Sequence, residues 1–322
     1  MREKIHIAVC PDKGYVMPTG VMMCSVCVNN PDLDIQFHII TDTDVTERDC
    51  DDLTAVVAPY NRVSIRFYRV AEQVLGNPFP RVGNLITRAA YFRLYLTDIL
   101  PSSIDKVLYL DGDLIVRRSL TELWNTDLSG CAIAAVPDKC MGTSDRYEGL
   151  GYPKSLGYFN SGVLLINLAY WRQHQATKLF AEFLRDKGET IRYHDQDVLN
   201  YVFREQKVML PIKYNFQHGF LKNKPEYDEV VYGEEVKEAR KDPIIVHFTG
   251  DRLGEKPWRY SYDPHPFLST FLKYQKMTKW KGDFIDWRPY STRARNVVGN
   301  ILRRMRILPK LQSRFINIAP VD

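Results

Sequence analysis

The chain has 322 residues, 45% of them hydrophobic and 26% charged, with a formal net charge of +5. These values suit an ordinary soluble globular protein, long enough for one large α/β domain with an appendage or for two domains. No stretch approaches the apolar length of a membrane span. The N-terminus has no signal-peptide apolar core, so a cytosolic protein is expected. Six cysteines in a chain of this length do not form a disulfide framework. Cys24 and Cys27 lack a second pair at zinc-finger spacing, and their apolar surroundings read as a helix carrying small buried thiols.

In chain order, 5–10 reads as a strand and 11–14 as a loop. A helix over 18–30 follows, with Pro18 near its start. A strand over 35–41, a helix over 46–58 and a strand over 63–68 come next. This β-α-β-α-β order predicts a mostly parallel sheet covered by helices. An amphipathic helix over 87–96 leads to a strand ending at Asp111. Further strands are expected at 132–136, 162–167 and 244–248, the last closing the core, with helices at 171–187 and 195–204. A compositional break near Asp263-Pro264 divides 1–263 from a helical extension, 264–322.

The most informative stretch is Val-Leu-Tyr-Leu-Asp-Gly-Asp, 107–113. Two carboxylates separated by one residue on an extended segment point the same way. At the end of a buried strand, two such oxygen ligands can hold a divalent cation and present it to a phosphate. Ligands of open parallel sheets lie at the C-terminal strand ends. Asp12, Asp111, Asp113, Asp138 and His247 all fall there.

Four segments read together: Lys-Val-Leu-Tyr-Leu-Asp-Gly-Asp (106–113), Tyr-Phe-Asn-Ser-Gly-Val-Leu-Leu-Ile-Asn (158–167), His-Asp-Gln-Asp-Val-Leu-Asn (194–200), and His-Phe-Thr-Gly (247–250) with Lys-Pro-Trp (256–258). As an ordered set over about residues 4–260 they resemble glycosyltransferase family 8, in particular its bacterial lipopolysaccharide galactosyl- and glucosyltransferases. The resemblance implies a GT-A fold, with a Rossmann-like, mostly parallel sheet flanked by helices. It also implies a UDP-sugar donor (UDP-galactose or UDP-glucose), a divalent cation and retention of anomeric configuration. By the same resemblance Asp111, Asp113 and His247 are the metal ligands. The cation is expected to be Mn2+, with Mg2+ possible, because nitrogen added to an oxygen set favours manganese somewhat.

The resemblance further implies that Asp12 and Tyr15 hold the uracil base, and that Gly112, Arg93, Asp138 and Asn160 face the donor. Gly250 would let the backbone approach phosphate, and Lys256 would reach the diphosphate, where a cation offsets developing charge. The 251–255 loop is longer than the usual spacing, so Arg252 could share that role and Gly254 could also let the backbone approach. Asp195 would bond donor-sugar hydroxyls and Gln196 would lie near the anomeric carbon. These two are the candidate catalytic residues. Asp195 can also be read as a helix N-cap, and Asp12 as a turn-former. Asp197 should face elsewhere and support the loop. An amide is a poor nucleophile, which favours front-face attack by the acceptor over a glycosyl-enzyme.

Eight basic residues lie between Arg288 and Arg314, with no acidic residue between Asp286 and Asp322. Interspersed with Val297, Ile301, Leu302, Met305 and Leu308, they form a basic amphipathic tail suited to an anionic membrane. A peripheral enzyme on the inner face of the cytoplasmic membrane, with a glycan or lipid-linked acceptor, is expected. Nucleic acid is not an expected partner.

Overall fold

The computed structural model describes residues 4–70, 88–140, 145–250, 255–259, 263–283 and, in the tail, 297–299, 301–303, 305, 307–308 and 313–316. Ten strands occur among them: β1 Ile5–Val9, β2 Ile35–Thr41, β3 Val63–Arg69, β4 Lys106–Leu110, β5 Leu114–Val116, β6 Ile133–Pro137, β7 Phe159–Asn167, β8 Lys207–Met209, β9 Phe216–Gln217 and β10 Ile245–His247. Seven form one sheet in the order β3-β2-β1-β4-β7-β6-β8, and β5-β10-β9 form a second. The large sheet is parallel from β3 to β4. Its β7 runs antiparallel to both β4 and β6.

Alternation along each strand supplies two apolar faces. Ile7, Val9, Phe37, Ile39, Leu108 and Leu110 point into one core, while Ala8, Ile40, Val107, Tyr109, Leu164 and Ile166 point into the other. Helix Val16–Asn29 covers the first face and is almost wholly buried. Pro18 is tolerated in its first turn because the N–H groups there have no partner within the helix. Thr46 and Asp49 form a reciprocal capping box that starts helix Glu47–Val57. The second face carries helices Leu168–Gln173, Ala176–Lys187 and His194–Val202, with Trp171, Phe180 and Leu199 buried beneath them.

Several expectations are corrected in detail. The 244–248 strand is present as β10; it lies in the small sheet, pairing antiparallel with β5, a three-residue strand too short to show in the sequence pattern. The 87–96 helix is a 3-10 segment, Arg88–Tyr95, followed by a short α-turn. The 171–187 helix is two helices, broken at Gln175, whose φ is 51°. Helix Glu229–Lys241 was not anticipated; it is polar along much of its length and begins at an Asp228 cap.

The segment after Asp263 packs on the main body as far as it is described continuously. Phe267, Phe271, Tyr274 and Trp280 belong to the first core, and Asn29 donates a 2.8 Å hydrogen bond to the Tyr274 hydroxyl. Near the end of the tail, Phe315 is buried and bridges to Lys222, while Arg314 pairs with Asp263 at 3.2 Å. Between these anchors Val297, Val298, Ile301, Met305, Ile307 and Leu308 are exposed. Among the described residues no helix is long and apolar enough to cross a membrane.

Candidate active site

Strand directions gather the functional side chains on one edge. Strands β1, β4 and β6 end there, and β7, running the other way, begins there. Leu110 pairs with Val163, and Asp111 N–H donates to Gly162 O at 2.8 Å. Asn160 and Ser161 therefore continue past the end of β4, directly below Asp111. The small sheet delivers the remote ligand: His247 sits opposite Leu114 in the β10–β5 pairing, and Phe248 N–H donates to Asp113 O.

Asp111, Asp113 and His247 each offer a ligand atom within 4.8 Å of the others. His247 Nε2 lies 3.1 Å from Asp113 Oδ1 and 3.7 Å from Asp111 Oδ2. The other ring nitrogen, Nδ1, is 2.9 Å from Asn215 Oδ1. An amide oxygen only accepts, so Nδ1 carries the hydrogen. The ring's Nε2 is therefore the nitrogen turned toward the two carboxylates. Two carboxylates and an oriented imidazole fit a divalent cation with positions left open. Gly162 is required here: a Cβ would overlap His247 Cε1 and lie 2.7 Å from Asp111 Oδ2.

Lys256 is buried, with its ammonium on Asp113 Oδ2 and 5.6 Å from the centre of the Tyr15 ring. Burial alone would raise the Asp113 pKa, but Lys256 and His247 outweigh it and hold the carboxyl well below its ordinary range. Arg93 donates to Asp111 Oδ1 at 2.9 Å and to Ser161 O at 2.7 Å, and its Nε lies 3.1 Å from Asp195 Oδ2. Burial opposes the Arg93 charge, yet Asp111 and Asp195 overcome it and raise its pKa further. For Asp195 burial wins over Arg93 and, with Asp111 adding to it, pushes the carboxyl up to about 6.

Asp195 and Gln196 stand in the first turn of helix His194–Val202, whose N-cap is Tyr193 rather than Asp195. Asn200, one turn on, clamps that helix to β7 by accepting from Phe159 N–H and donating to Phe159 O, both at 2.8 Å. His194 holds φ at 50°, a left-handed backbone in a non-glycine residue, which costs energy and is concentrated at working sites. Asp197 does support the loop: it accepts from Arg192 N–H, Tyr193 N–H, Tyr158 OH and the buried Arg146 guanidinium.

Gln196 is held at both ends of its amide. Its Oε1 accepts from Ser161 N–H at 3.0 Å and Asn160 Nδ2 at 3.1 Å, while its Nε2 donates to Asp138 Oδ2 and the Tyr158 hydroxyl. Asp138 and Asn160 are thus joined to it directly. Asp12 caps the 3-10 turn Lys13–Tyr15, as its turn-forming reading required, and Tyr15 packs edge-on to Trp258. Gly250 adopts φ of 99°, and a Cβ there would strike Glu255, so its role at this point is conformational. Arg252 and Gly254 lie outside the described residues. Cys24 and Cys27 are buried free thiols as expected; Cys50 is buried as well, whereas Cys10, Cys131 and Cys140 are half-buried.

A cleft of about 330 Å³ opens over this edge, lined among others by Asp12, Tyr15, Arg93, Asp111, Gly112, Asp113, Asp195 and Gln196. Cys10, Arg192, Tyr193 and His194 also line it. Sequence reasoning missed these, along with Asn215 and Tyr158, because each acts through distant pairings that no local pattern announces. His194 and Tyr158 did stand inside quoted segments, 194–200 and 158–167, but were given no role there, and Tyr193 is adjacent to the first of these.

A Rossmann-like half-sheet with an Asp-Gly-Asp turn at its central strand, a histidine brought beside it and an amide-lined cleft define a glycosyltransferase of the GT-A fold. The model of glycosyl transferase family 8 matches residues 6–261, and the chain belongs to that family. It is 28% identical over 282 residues to general stress protein A of Bacillus subtilis, covering 86% of this chain and 95% of that one. It is 28% identical over 283 residues to the lipopolysaccharide 1,2-glucosyltransferase of Escherichia coli, covering 87% and 80%. Among solved structures, galactosyltransferase LgtC in complex with donor and acceptor sugar analogues superposes with a TM-score of 0.73 at 27% identity, covering 90% of this chain and 99% of that one.

Proposed function

We propose that the protein is a metal-dependent, retaining hexosyltransferase that moves galactose or glucose from a UDP-sugar to a glycan acceptor of the lipopolysaccharide or lipid-linked surface type. The observation carrying this reading is the Asp111–Asp113–His247 cluster on the same edge as the saturated Gln196 amide. The relatives' described activities on lipopolysaccharide supply the acceptor class.

In this reading Asp111, Asp113 and His247 hold Mn2+, or Mg2+, which when bound offsets charge on the leaving diphosphate. Asp12 and Tyr15 grip the base. Lys256 and the Gly250 backbone serve the diphosphate, with Gly112 keeping the metal turn slim under it. Arg93 fixes Asp111 and Asp195. Asp138, Asn160 and Asp195 address sugar hydroxyls, and Gln196 lies at the anomeric face. Because both ends of the Gln196 amide are occupied by the protein, front-face attack by the acceptor is favoured over a glycosyl-enzyme. Residues 1–263 would be the catalytic domain and 264–322 an extension. Its exposed apolar residues and arginines would rest on the anionic inner face of the cytoplasmic membrane.

The test is UDP release from a panel of UDP-sugars with a glycan acceptor, with and without Mn2+. Turnover of one donor only with metal, lost in Asp111→Asn, is the expected result. Equal turnover in EDTA, or no binding of any UDP-sugar, overturns the reading. Sedimentation with vesicles containing anionic phospholipid tests the tail, and no sedimentation at low salt removes that part.

A further inference from the structure

Asn215 belongs to no recognised motif, yet it lies between the metal cluster and the sugar-facing amides. It is fully buried and sits between the 3-10 turn Ile212–Tyr214 and β9, whose parallel pairing with β10 sets Gln217 beside His247. Its Oδ1 faces His247 Nδ1 at 2.9 Å and its Nδ2 faces Asn160 Oδ1 at 2.8 Å.

The direction of every bond in this chain is forced. Gly162 N–H donates to Asn160 Oδ1 at 3.0 Å, so that atom is the oxygen. The Asn215 atom facing it must then be the nitrogen, and the one facing His247 must be the oxygen. Nδ1 of His247 therefore carries the hydrogen, and Nε2 is the ring nitrogen presented to Asp113 and Asp111. At the other end Ser161 N–H fixes Gln196 Oε1 as an acceptor, and Asn160 Nδ2 donates to it. Two backbone N–H groups of β7 thus lock the sequence His247–Asn215–Asn160–Gln196 into one arrangement, without the ambiguity amide side chains otherwise have.

We infer that Asn215 is a positioning residue: its buried amide holds His247 in the metal-binding tautomer and ties that ligand to the Asn160–Gln196 pair. The inference rests on the metal-dependent reading above. Partners that orient ligating histidines are worth about 10–100-fold in metal affinity.

The experiment is calorimetric titration of Mn2+ alone into the full chain, with thermal melting as a fold control. Asn215→Ala is expected to bind Mn2+ about 10–100-fold more weakly. Asn215→Asp keeps an acceptor for Nδ1–H, so its Mn2+ affinity should stay within about threefold of wild type. Its new carboxylate oxygen opposes Asn160 Oδ1, so its kcat should fall. A purely structural role would not split the two variants in this way.

Wild-type affinity in a folded Asn215→Ala, or equal loss in both variants, overturns the inference alone. Failure of wild type to bind Mn2+ overturns the metal-dependent function and this inference with it. If Asn215→Ala does not fold, nitrogen-15 spectra of the His247 ring in the metal-free wild type decide. Hydrogen on Nδ1 supports the assignment, and hydrogen on Nε2 alone contradicts it.

Discussion

The two walls of the cleft are built differently. The inner wall, formed by Asp195 and Gln196 and backed by Asp138 and Asn160, is buried and cross-bonded, with its partners drawn from the end of β6, from β7 and from the helix at His194. The wall formed by the first loop is half-exposed: Asp12 caps its own turn, and Lys13 and Gly14 face solvent. A wall whose polar groups are already oriented needs little reorganisation when charge develops. A half-exposed loop contributes mainly by binding. Damage to the first should therefore appear in kcat, and damage to the second in KM.

The largest expected effect on the buried wall is from Gln196→Ala. It removes an amide joined to four groups and should lower kcat by about 10²–10³-fold, with donor KM changed little. Steady-state kinetics against the UDP-sugar checks this, and a pure KM effect would erase the distinction between the walls. Behind that wall, Asp197→Asn breaks the buried pair with Arg146, whose closest contact is 2.6 Å. Loss of one partner from a buried pair costs about 3–5 kcal/mol, visible as a lower midpoint in urea. On the loop wall, Tyr15→Ala should raise donor KM about tenfold, equivalent to about 1.4 kcal/mol of binding, with kcat nearly unchanged.

The last effect lies away from both walls, leaves the cleft untouched and serves as a reference. His38 is buried between His6 and Tyr68, and burial, reinforced by His6, Arg66 and Lys4, lowers its pKa to about 3. Between pH 6.5 and about 3 the unfolded chain takes up a proton that the folded one refuses. Stability contributed by neutral His38 is therefore present above pH 6.5 and lost on acidification, at up to about 1.4 kcal/mol per pH unit. His38→Gln should flatten the stability–pH slope by one proton across that window, measured by urea unfolding. An unchanged slope would show that His38 is protonated in the fold.

The same contrast explains what could be read in the chain. The β-α-β-α-β start, the Asp-Gly-Asp turn and the His-Asp-Gln-Asp helix are local patterns, and each was legible with its residues. So was the support role of Asp197, which follows from helix geometry. The resemblance of the ordered motifs brought His247 to the same site before any contact was known. Strands β5, β8 and β9 were not legible, because two or three residues carry no periodicity. Asn215 and Tyr158 were hidden for a different reason. The value of Asn215 comes from the β9–β10 pairing, and that of Tyr158, which opens a quoted segment, from its bonds to Asp197 and Gln196; neither is written near those residues. Gly162 lies between the two cases: it was visible inside a motif, but only the crowding against His247 and Asp111 says why a side chain cannot stand there.

The most direct test of the central claim is calorimetric titration of UDP into the wild-type protein in Mn2+ and in EDTA, repeated with Asp113→Asn. If the three residues hold a cation that receives the diphosphate, UDP binds in Mn2+, weakens at least about tenfold in EDTA, and binds Asp113→Asn equally weakly under both conditions. Equal UDP affinity with and without metal in the wild type would contradict the account.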